Sequence, residues 1–225
     1  DGITWTGQGT TFFTYGSTVL YANSMWHIGG AGGFYYSTNN GSTWTSISGT
    51  YATINGIANN GTNYIALTAN NLYYSNDGIS FSAASSYIFS GGQAFCAAYG
   101  ANVWVAGGSG TTHSLAYSRN SGASWTGLGV TLISSVTAIK YNDYNEMFVA
   151  GGSPNSILHS YDGIVWTSLS SGFFSSMSDL YGLAHSVVGT LNTMSYSTDA
   201  TTWTGLGSTL FSKEMNSIAY NGSDT

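Results

Sequence analysis

Five carboxylic acids lie outside the repeated turns of this sequence and are its candidates for acid–base chemistry: Asp143, Glu146, Asp179, Glu214 and Asp224. Glycoside hydrolysis needs two carboxyl groups that face each other across a pocket. Asp143, Glu146 and Asp224 fall in predicted turns, where turn chemistry or solvation explains them. Asp179 and Glu214 precede predicted inner strands of different repeats, but no feature of the sequence pairs them. We therefore expect no catalytic residues and no enzyme, with a glycoside hydrolase as the least favoured alternative.

Histidine and cysteine offer no metal-binding or nucleophilic pattern. The histidines stand at positions 27, 113, 159 and 185, in different repeats and without the spacing of metal ligands. Cys96 lies in the apolar run 94–98, which is typical of a buried, inert thiol. There is no Gly-x-Ser-x-Gly motif, and the Gly-Gly pairs end predicted strands instead of opening helices. We expect neither a metal nor another cofactor.

The low charge of the chain excludes several classes of partner. Lys and Arg together number three against nine acidic residues, and charged residues are 5% of the sequence. Three cations are too few to neutralise a phosphate backbone or to hold the chain on an anionic membrane. We therefore expect no nucleic-acid partner. No apolar run is long enough to predict membrane insertion. The 42% apolar and 15% aromatic content nevertheless supplies a large core.

A phrase that ends in Trp-Thr recurs along the chain and sets its architecture. Complete copies occupy residues 37–44, 75–81, 118–125, 160–166 and 197–203, and a truncated copy opens the chain. The closing aromatics are 39, 37, 44, 41 and 37 residues apart. A repeat of about forty residues indicates a modular fold built from one supersecondary unit.

Each repeat contains the signals of four short strands. A second phrase, for example residues 96–108, reads as two strands around an Asn/Gly turn and ends in Gly-Gly. A third strand ends at the Ser that opens the turn phrase, and the fourth begins at Trp-Thr. We predict an all-β protein, a β-propeller of four-stranded blades. Six blades are expected, the sixth incomplete and shared between residues 3–6 and 216–221, with five or seven as alternatives. The whole of 1–225 is expected to be one propeller domain, part of a longer chain.

The turn phrase Ser-x-Asp-x-Gly-x-x-Trp resembles the Asp-box, or bacterial neuraminidase repeat, of sialidase-like propellers. The resemblance implies a structural role for the turn acceptors and closing aromatics: Trp5, Asn39, Trp44, Asp77, Phe81, Asn120, Trp125, Asp162, Trp166, Asp199 and Trp203. The chain departs from the motif at Asn39, Asn120, Phe81 and Ala200. These departures are compatible with residues that only hold the turn together and poorly compatible with a catalytic carboxylate. Sialidases of this kind bind their acidic substrate through several arginines, whereas this chain has only Arg119, inside a turn. Sialidase activity is therefore excluded.

A ligand is expected on the face opposite these turns, where loops join second to third strands and link successive blades. Aromatic rings there could stack on sugars while amides, hydroxyls and imidazoles bind sugar hydroxyls. The alternative is that these rings are buried between blades. The candidate ligand-binding residues are Tyr15, Phe89, Phe174, His113, Asn155 and Asn192.

The sequence thus favours a non-catalytic recognition propeller, carbohydrate-binding in the manner of a lectin or adhesin. Asn-Gly-Ser/Thr sequons at Asn40, Asn60 and Asn221 fit an extracellular or virion surface. The main alternative is a structural or protein-interaction propeller in a larger surface assembly. Self-association through the open edges of an incomplete blade is also expected to be possible.

Overall fold

The structure is a computed structural model that describes residues 7, 12–51, 53–154, 156–169, 177–181, 185–189, 194–197, 199 and 201–205. Within them the chain forms five four-stranded antiparallel sheets, each a meander in which strands neighbour one another in chain order. We number these sheets as blades 1 to 5. The predicted sixth blade, including Trp5, lies outside the described residues. None of the part described forms a helix capable of crossing a membrane.

Every blade has the same succession of strands. Blade 1 contains β1 (Tyr15–Ala22), β2 (Met25–Ala31), β3 (Gly33–Ser37) and β4 (Thr45–Ser46). Blade 2 contains β5 (Ile54–Asn59), β6 (Tyr64–Thr68), β7 (Leu72–Ser75) and β8 (Ser82–Ala83). Blade 3 contains β9 (Ala94–Gly100), β10 (Val103–Gly108), β11 (Leu115–Ser118) and β12 (Thr126–Gly127). Blade 4 contains β13 (Ser135–Asn142), β14 (Met147–Ser153), β15 (Ser156–Ser160) and β16 (Thr167–Leu169). Blade 5 contains β17 (Met177–Tyr181), β18 (His185–Gly189), β19 (Met194–Ser197) and β20 (Thr204–Gly205).

The turns between first and second strands show why Asn recurs there. Asn23 and Ser24 both have positive φ, of 50° and 62°, and so do Ala101 and Asn102, at 47° and 59°. Two successive residues with positive φ make the two-residue hairpin turn that matches the twist of its flanking strands. Asn adopts this conformation more readily than most residues, and Asn23 also donates from Nδ2 to the Tyr64 hydroxyl of blade 2 at 3.1 Å. The predicted hairpins are present, and each fourth strand follows the closing aromatic as predicted.

The first strands of successive blades contact one another, so the blades are arranged around a shared axis. β1 contacts β5, β5 contacts β9, β9 contacts β13 and β13 contacts β17. This radial arrangement of four-stranded meanders is a β-propeller, as the repeat predicted.

Glycine at the end of the second strand lets neighbouring blades approach closely. A Cβ on Gly29 would lie 2.6 Å from Cγ2 of Ile54 in blade 2. A Cβ on Gly107 would likewise lie 2.5 Å from Cγ1 of Val136 in blade 4. Because any side chain at these positions would collide with the next blade, the first glycine of each of these Gly-Gly pairs is a packing position between blades.

The hydrophobic core consists of clusters that each join two consecutive blades. One cluster joins Ile65 and Leu67 of blade 2 to Trp104 of blade 3. A second joins Val105 of blade 3 to Phe148 of blade 4. Blade stacking therefore buries most of the apolar surface, and the closing aromatics extend these clusters towards the turns.

Candidate functional site

The Ser-x-Asp turns are closed by their own side chains. In blade 4, Ser160 Oγ donates to Asp162 Oδ1 at 3.0 Å. The same Asp162 oxygen accepts the backbone amides of Ile164 and Val165, each at 2.8 Å. Asp77 and Asp199 accept the corresponding amides in blades 2 and 5. These carboxylates therefore hold the backbone of their turns in the manner of an Asx-turn.

Asn replaces Asp in the two copies whose turn is one residue longer. Asn39 Oδ1 accepts the amide of Thr43 at 2.9 Å, and its Nδ2 donates to Thr43 Oγ1 at 2.8 Å. Asn120 makes the same pair of bonds with Ser124, at 3.0 and 2.8 Å. A carboxylate could keep this second contact only by accepting from the hydroxyl, as Asp77 does from Ser80. The longer turn thus uses both ends of an amide where the shorter turns use a carboxylate as acceptor alone.

The closing aromatics cover the turns. Trp125 Nε1 donates to the carbonyl of Gly122 at 3.0 Å, and Trp166 Nε1 donates to that of Gly163 at 3.1 Å. Both indoles are buried. Phe81 of blade 2 packs on Phe34 of blade 1, with ring centroids 5.0 Å apart. The remaining closing residues are partly buried: Trp44 and Trp203.

The turn carboxylates are unsuited to acid catalysis. The amide bonds from Ser80 and Ile79 lower the pKa of Asp77 below its ordinary value, and those from Val165 and Ile164 do the same for the pKa of Asp162. A carboxyl group stabilised as the anion is a poor proton donor near neutral pH.

The first strands of blades 1 to 4 line a cavity at the centre of the described blades, which we call the channel. Its volume is about 430 Å³, and β1, β5, β9 and β13 line it together with Leu67. Each of these strands pairs on one side only, with the second strand of its blade. The opposite edge therefore presents backbone N–H and C=O groups towards the channel.

A β-bulge recurs at one position of the first strands and adds polar side chains to this channel. Ser17 is unpaired between Gly16 and Thr18, and Asn55 and Thr137 are unpaired at the matching positions of β5 and β13. Phe95 occupies this position in β9. All four bulged residues line the channel. The repeated phrases do not predict these bulges, although an alignment of the repeats places Ser17, Asn55 and Thr137 at one position.

The bulged Asn55 also joins two blades. Its Nδ2 donates to the carbonyl of Ala94 at 2.9 Å and lies 3.1 Å from Oε1 of Gln93, both in or beside the first strand of blade 3. Both Nδ2 hydrogens of Asn55 are engaged in these bonds, so the amide offers the channel its Oδ1 as a fixed acceptor. Lys140 is the one charged residue among the described lining residues.

The predicted loop residues do not form one site. Tyr15, at the start of β1, is 57% exposed. His113 is partly buried, and its Nδ1 accepts the amide of Gly129 at 2.9 Å, so it holds the link after β12. Phe174, Asn155 and Asn192 lie outside the described residues.

The prediction that Phe89 contacts a ligand was wrong. Phe89 is fully buried, and a Cβ on Gly108 would lie 2.9 Å from its ring. Tyr87 packs beside it at 6.3 Å between centroids, with its hydroxyl donating to the carbonyl of Gly92 at 2.9 Å. The alternative, in which link aromatics pack inside the propeller, is correct for this link. An inter-blade link must cover the end of its blade's core, so its aromatic ring turns inward.

The acidic residues outside the turn phrase are dispersed. Asp143 and Glu146 are exposed in the turn between β13 and β14, away from the channel lining. Asp179 lies within β17 and not before it, next to the bulge of that strand. Glu214 and Asp224 lie outside the described residues. Among the side chains described, no group of three His, Cys, Asp or Glu residues is placed to hold a metal.

Comparison with known proteins supports the fold. No protein-family model matches the chain, and no curated protein matches its sequence. YCF48 from Cyanidioschyzon merolae has a similar structure, with a TM-score of 0.63 and 14% identity over 88% of this chain and 72% of that one. An ancestral GH74 enzyme matches with a TM-score of 0.70 and 14% identity over 87% of this chain and 31% of its own. A GH74 enzyme from Niastella koreensis matches with a TM-score of 0.66 and 23% identity over 84% of this chain and 30% of its own. The chain thus spans under a third of each GH74 enzyme, and these likenesses show a propeller fold.

Proposed function

We propose that this chain is a non-catalytic recognition propeller that binds a neutral carbohydrate in its central channel. The observation that carries the proposal is the channel lining, which combines strand edges with the uncharged polar groups of Ser17, Asn55 and Thr137. Sugar hydroxyls both donate and accept hydrogen bonds. The N–H and C=O groups of the strand edges satisfy both roles, and Asn55 Oδ1 adds an acceptor. Phe95 and Val19 add apolar surface for the C–H faces of a sugar ring.

The same lining argues against glycoside hydrolysis. A glycosidase needs two carboxyl groups about 5–10 Å apart across the scissile bond. Among the described residues that line the channel there is no Asp or Glu. The resemblance to GH74 enzymes is one of fold, and fold alone does not carry an activity.

An extracellular or virion-surface location fits this proposal. The surface is polar but nearly free of ions, since charged residues are 5% of the chain. The sequon residue Asn40 is exposed in the turn between β3 and β4. Attachment to an external glycan, as by a lectin or adhesin, would use such a surface.

A protein-interaction propeller is the second candidate function. The observation in its favour is the aromatic exposure of β1, where Tyr15 and Tyr21, which do not line the channel, are 57% and 52% exposed. Exposed aromatic side chains on one strand are typical of an interface. Such a surface would also support self-association of the chain.

A glycan array with the folded protein tests the first candidate. We expect reproducible binding to a related set of neutral glycans, competed by the free sugar. An array without binding, together with concentration-dependent dimers in size-exclusion chromatography, would instead support the interaction role. Release of free sugar from any bound glycan would contradict the absence of catalysis.

A further inference from the structure

The third strand carries a tyrosine at one repeated position, and blade 4 is the exception. This residue pairs with the first residue of the fourth strand in every blade. The residues at this position are Tyr36, Tyr74, Tyr117, His159 and Tyr196. Five copies of one structural unit therefore allow a direct internal comparison.

In blades 1 to 3 the tyrosine fills the corner between its blade and the next. Tyr36 packs on the cluster that includes Phe81 of blade 2. Tyr74 packs on the cluster of Trp125, and Tyr117 packs on that of Trp166. Each ring thus lies against the group that holds the closing aromatic of the following blade. An imidazole at this position is smaller and leaves part of the corner unfilled.

A cavity of about 210 Å³ lies beside His159, on the turn that joins β15 to β16 of blade 4. We call it the outer notch; its lining residues are His159, Ser160, Tyr161, Asp162, Val165 and Thr167. We propose that the outer notch binds a single neutral sugar residue. The channel shares none of these lining residues, so this site is independent of the function proposed above.

Two exposed apolar side chains give the notch a wall for a sugar ring. Tyr161 is 61% exposed, and its ring stands at 85° to that of His159 with centroids 5.9 Å apart. Val165 is 70% exposed, where the other turns carry Thr or Ser. Blade 4 therefore replaces polar residues of the repeat with apolar ones beside the cavity. A flat aromatic face next to aliphatic carbon is what the C–H face of a pyranose packs against.

The polar groups of the notch match vicinal hydroxyls. His159 Nδ1 is buried and has no hydrogen-bond partner in the described protein. Asp162 uses Oδ1 for all three bonds within its turn, so Oδ2 takes part in none of them. One hydroxyl can donate to this carboxylate oxygen. Its neighbour can bond the imidazole once the ring turns Nδ1, which is enclosed in this structure, towards the notch. The carboxylate repels anionic ligands, and a quaternary amine could not bond to His159.

Replacement by the residue of the other blades gives a sharp test. His159→Tyr restores the repeat and fills the notch, and Tyr161→Thr restores the residue found in blade 1 while removing the wall. We would titrate labelled protein with methyl glucoside, methyl galactoside and N-acetylglucosamine and follow the amide signals of residues 159–167 by NMR. Ser17→Trp, which obstructs only the channel, is the matched control.

We expect saturable shifts of these amides at millimolar concentrations of at least one sugar, weakened about tenfold or more by either notch variant and unchanged in Ser17→Trp. If the wild-type protein binds nothing on the glycan array but the NMR titration shows sugar binding at the notch, only the channel proposal is contradicted. The notch proposal is overturned if no sugar shifts residues 159–167 at up to about 50 mM, or if both folded variants bind like the wild type. It is equally overturned if tetramethylammonium binds there and the sugars do not.

Discussion

His27 Nε2 donates a hydrogen bond of 2.9 Å to the carbonyl of Gly78, which joins the second strand of blade 1 to the turn of blade 2. The ring is fully buried, with the rings of Tyr64 and Phe34 at 5.0 and 6.3 Å. Its Nδ1 is buried without a partner in the described protein. Burial therefore lowers the pKa of His27 below 6.5, although the Gly78 carbonyl opposes that shift.

This interface predicts that acid weakens the fold. Because the folded state lowers the pKa of His27, the unfolded chain binds the proton more readily. The stabilisation by neutral His27 is present above pH 6.5 and is lost as the pH falls towards the folded-state pKa. We expect the melting temperature, followed by circular dichroism, to fall between about pH 7 and pH 5, and to fall less steeply in His27→Gln. Equal slopes in the two proteins would contradict this role for His27.

The longer turns should depend on both ends of their amide side chain. Asn120→Ala removes an acceptor and a donor, and we expect a loss of about 1–2 kcal/mol in the free energy of unfolding. Asn120→Asp keeps the acceptor of the Ser124 amide and reverses the second bond, with Ser124 Oγ donating to the carboxylate. In urea denaturation, Asn120→Asp should therefore lose less unfolding free energy than Asn120→Ala. If Asn120→Asp were as destabilised as Asn120→Ala, the acceptor would not be the main contribution.

The contact of Gly107 with Val136 should behave as a coupled pair. Gly107→Ala puts a methyl group where Val136 and Cys96 already lie, at 2.5 and 2.9 Å from the added Cβ, and we expect a loss of about 1–3 kcal/mol. Val136→Ala removes the nearest colliding atom, Cγ1, and leaves Val136 Cβ at 2.8 Å, so it relieves the collision in part. In a double-mutant cycle, the double variant should be more stable than the sum of the single losses predicts. If the losses of unfolding free energy in the two single variants simply add in the double variant, the two positions are not energetically coupled, which contradicts this prediction.

Phe89 should matter for stability and not for binding. Its ring is fully buried beneath the link before β9, so Phe89→Ala is expected to cost about 3–5 kcal/mol of unfolding free energy, and Phe89→Leu less. Urea denaturation measures both. Unchanged stability with weaker sugar binding would restore the original expectation of a ligand contact.

The strand plan could be predicted because each repeat carries local signals. The closing aromatic marks the start of the fourth strand, and Asn102 marks a hairpin turn through its positive φ. Phe89 could not be placed in this way, since a link has no periodicity that separates an inward from an outward ring. The bulges at Ser17 and Asn55 depend on strand register, which the turn phrases do not determine. The outer notch became visible only when His159 was compared with the tyrosines at the same register in the other blades.

The central claim is that the channel binds a sugar, and isothermal titration of a channel variant tests it most directly. Ser17 is exposed at the bulge of β1 within the channel, so Ser17→Trp places an indole in the space proposed for the ligand. Thr45→Trp, at an exposed position of the outer strand β4, is the control. With the best glycan from the array, we predict that Ser17→Trp weakens affinity about tenfold or more while Thr45→Trp binds like the wild type. Wild-type affinity in a folded Ser17→Trp protein would contradict the claim.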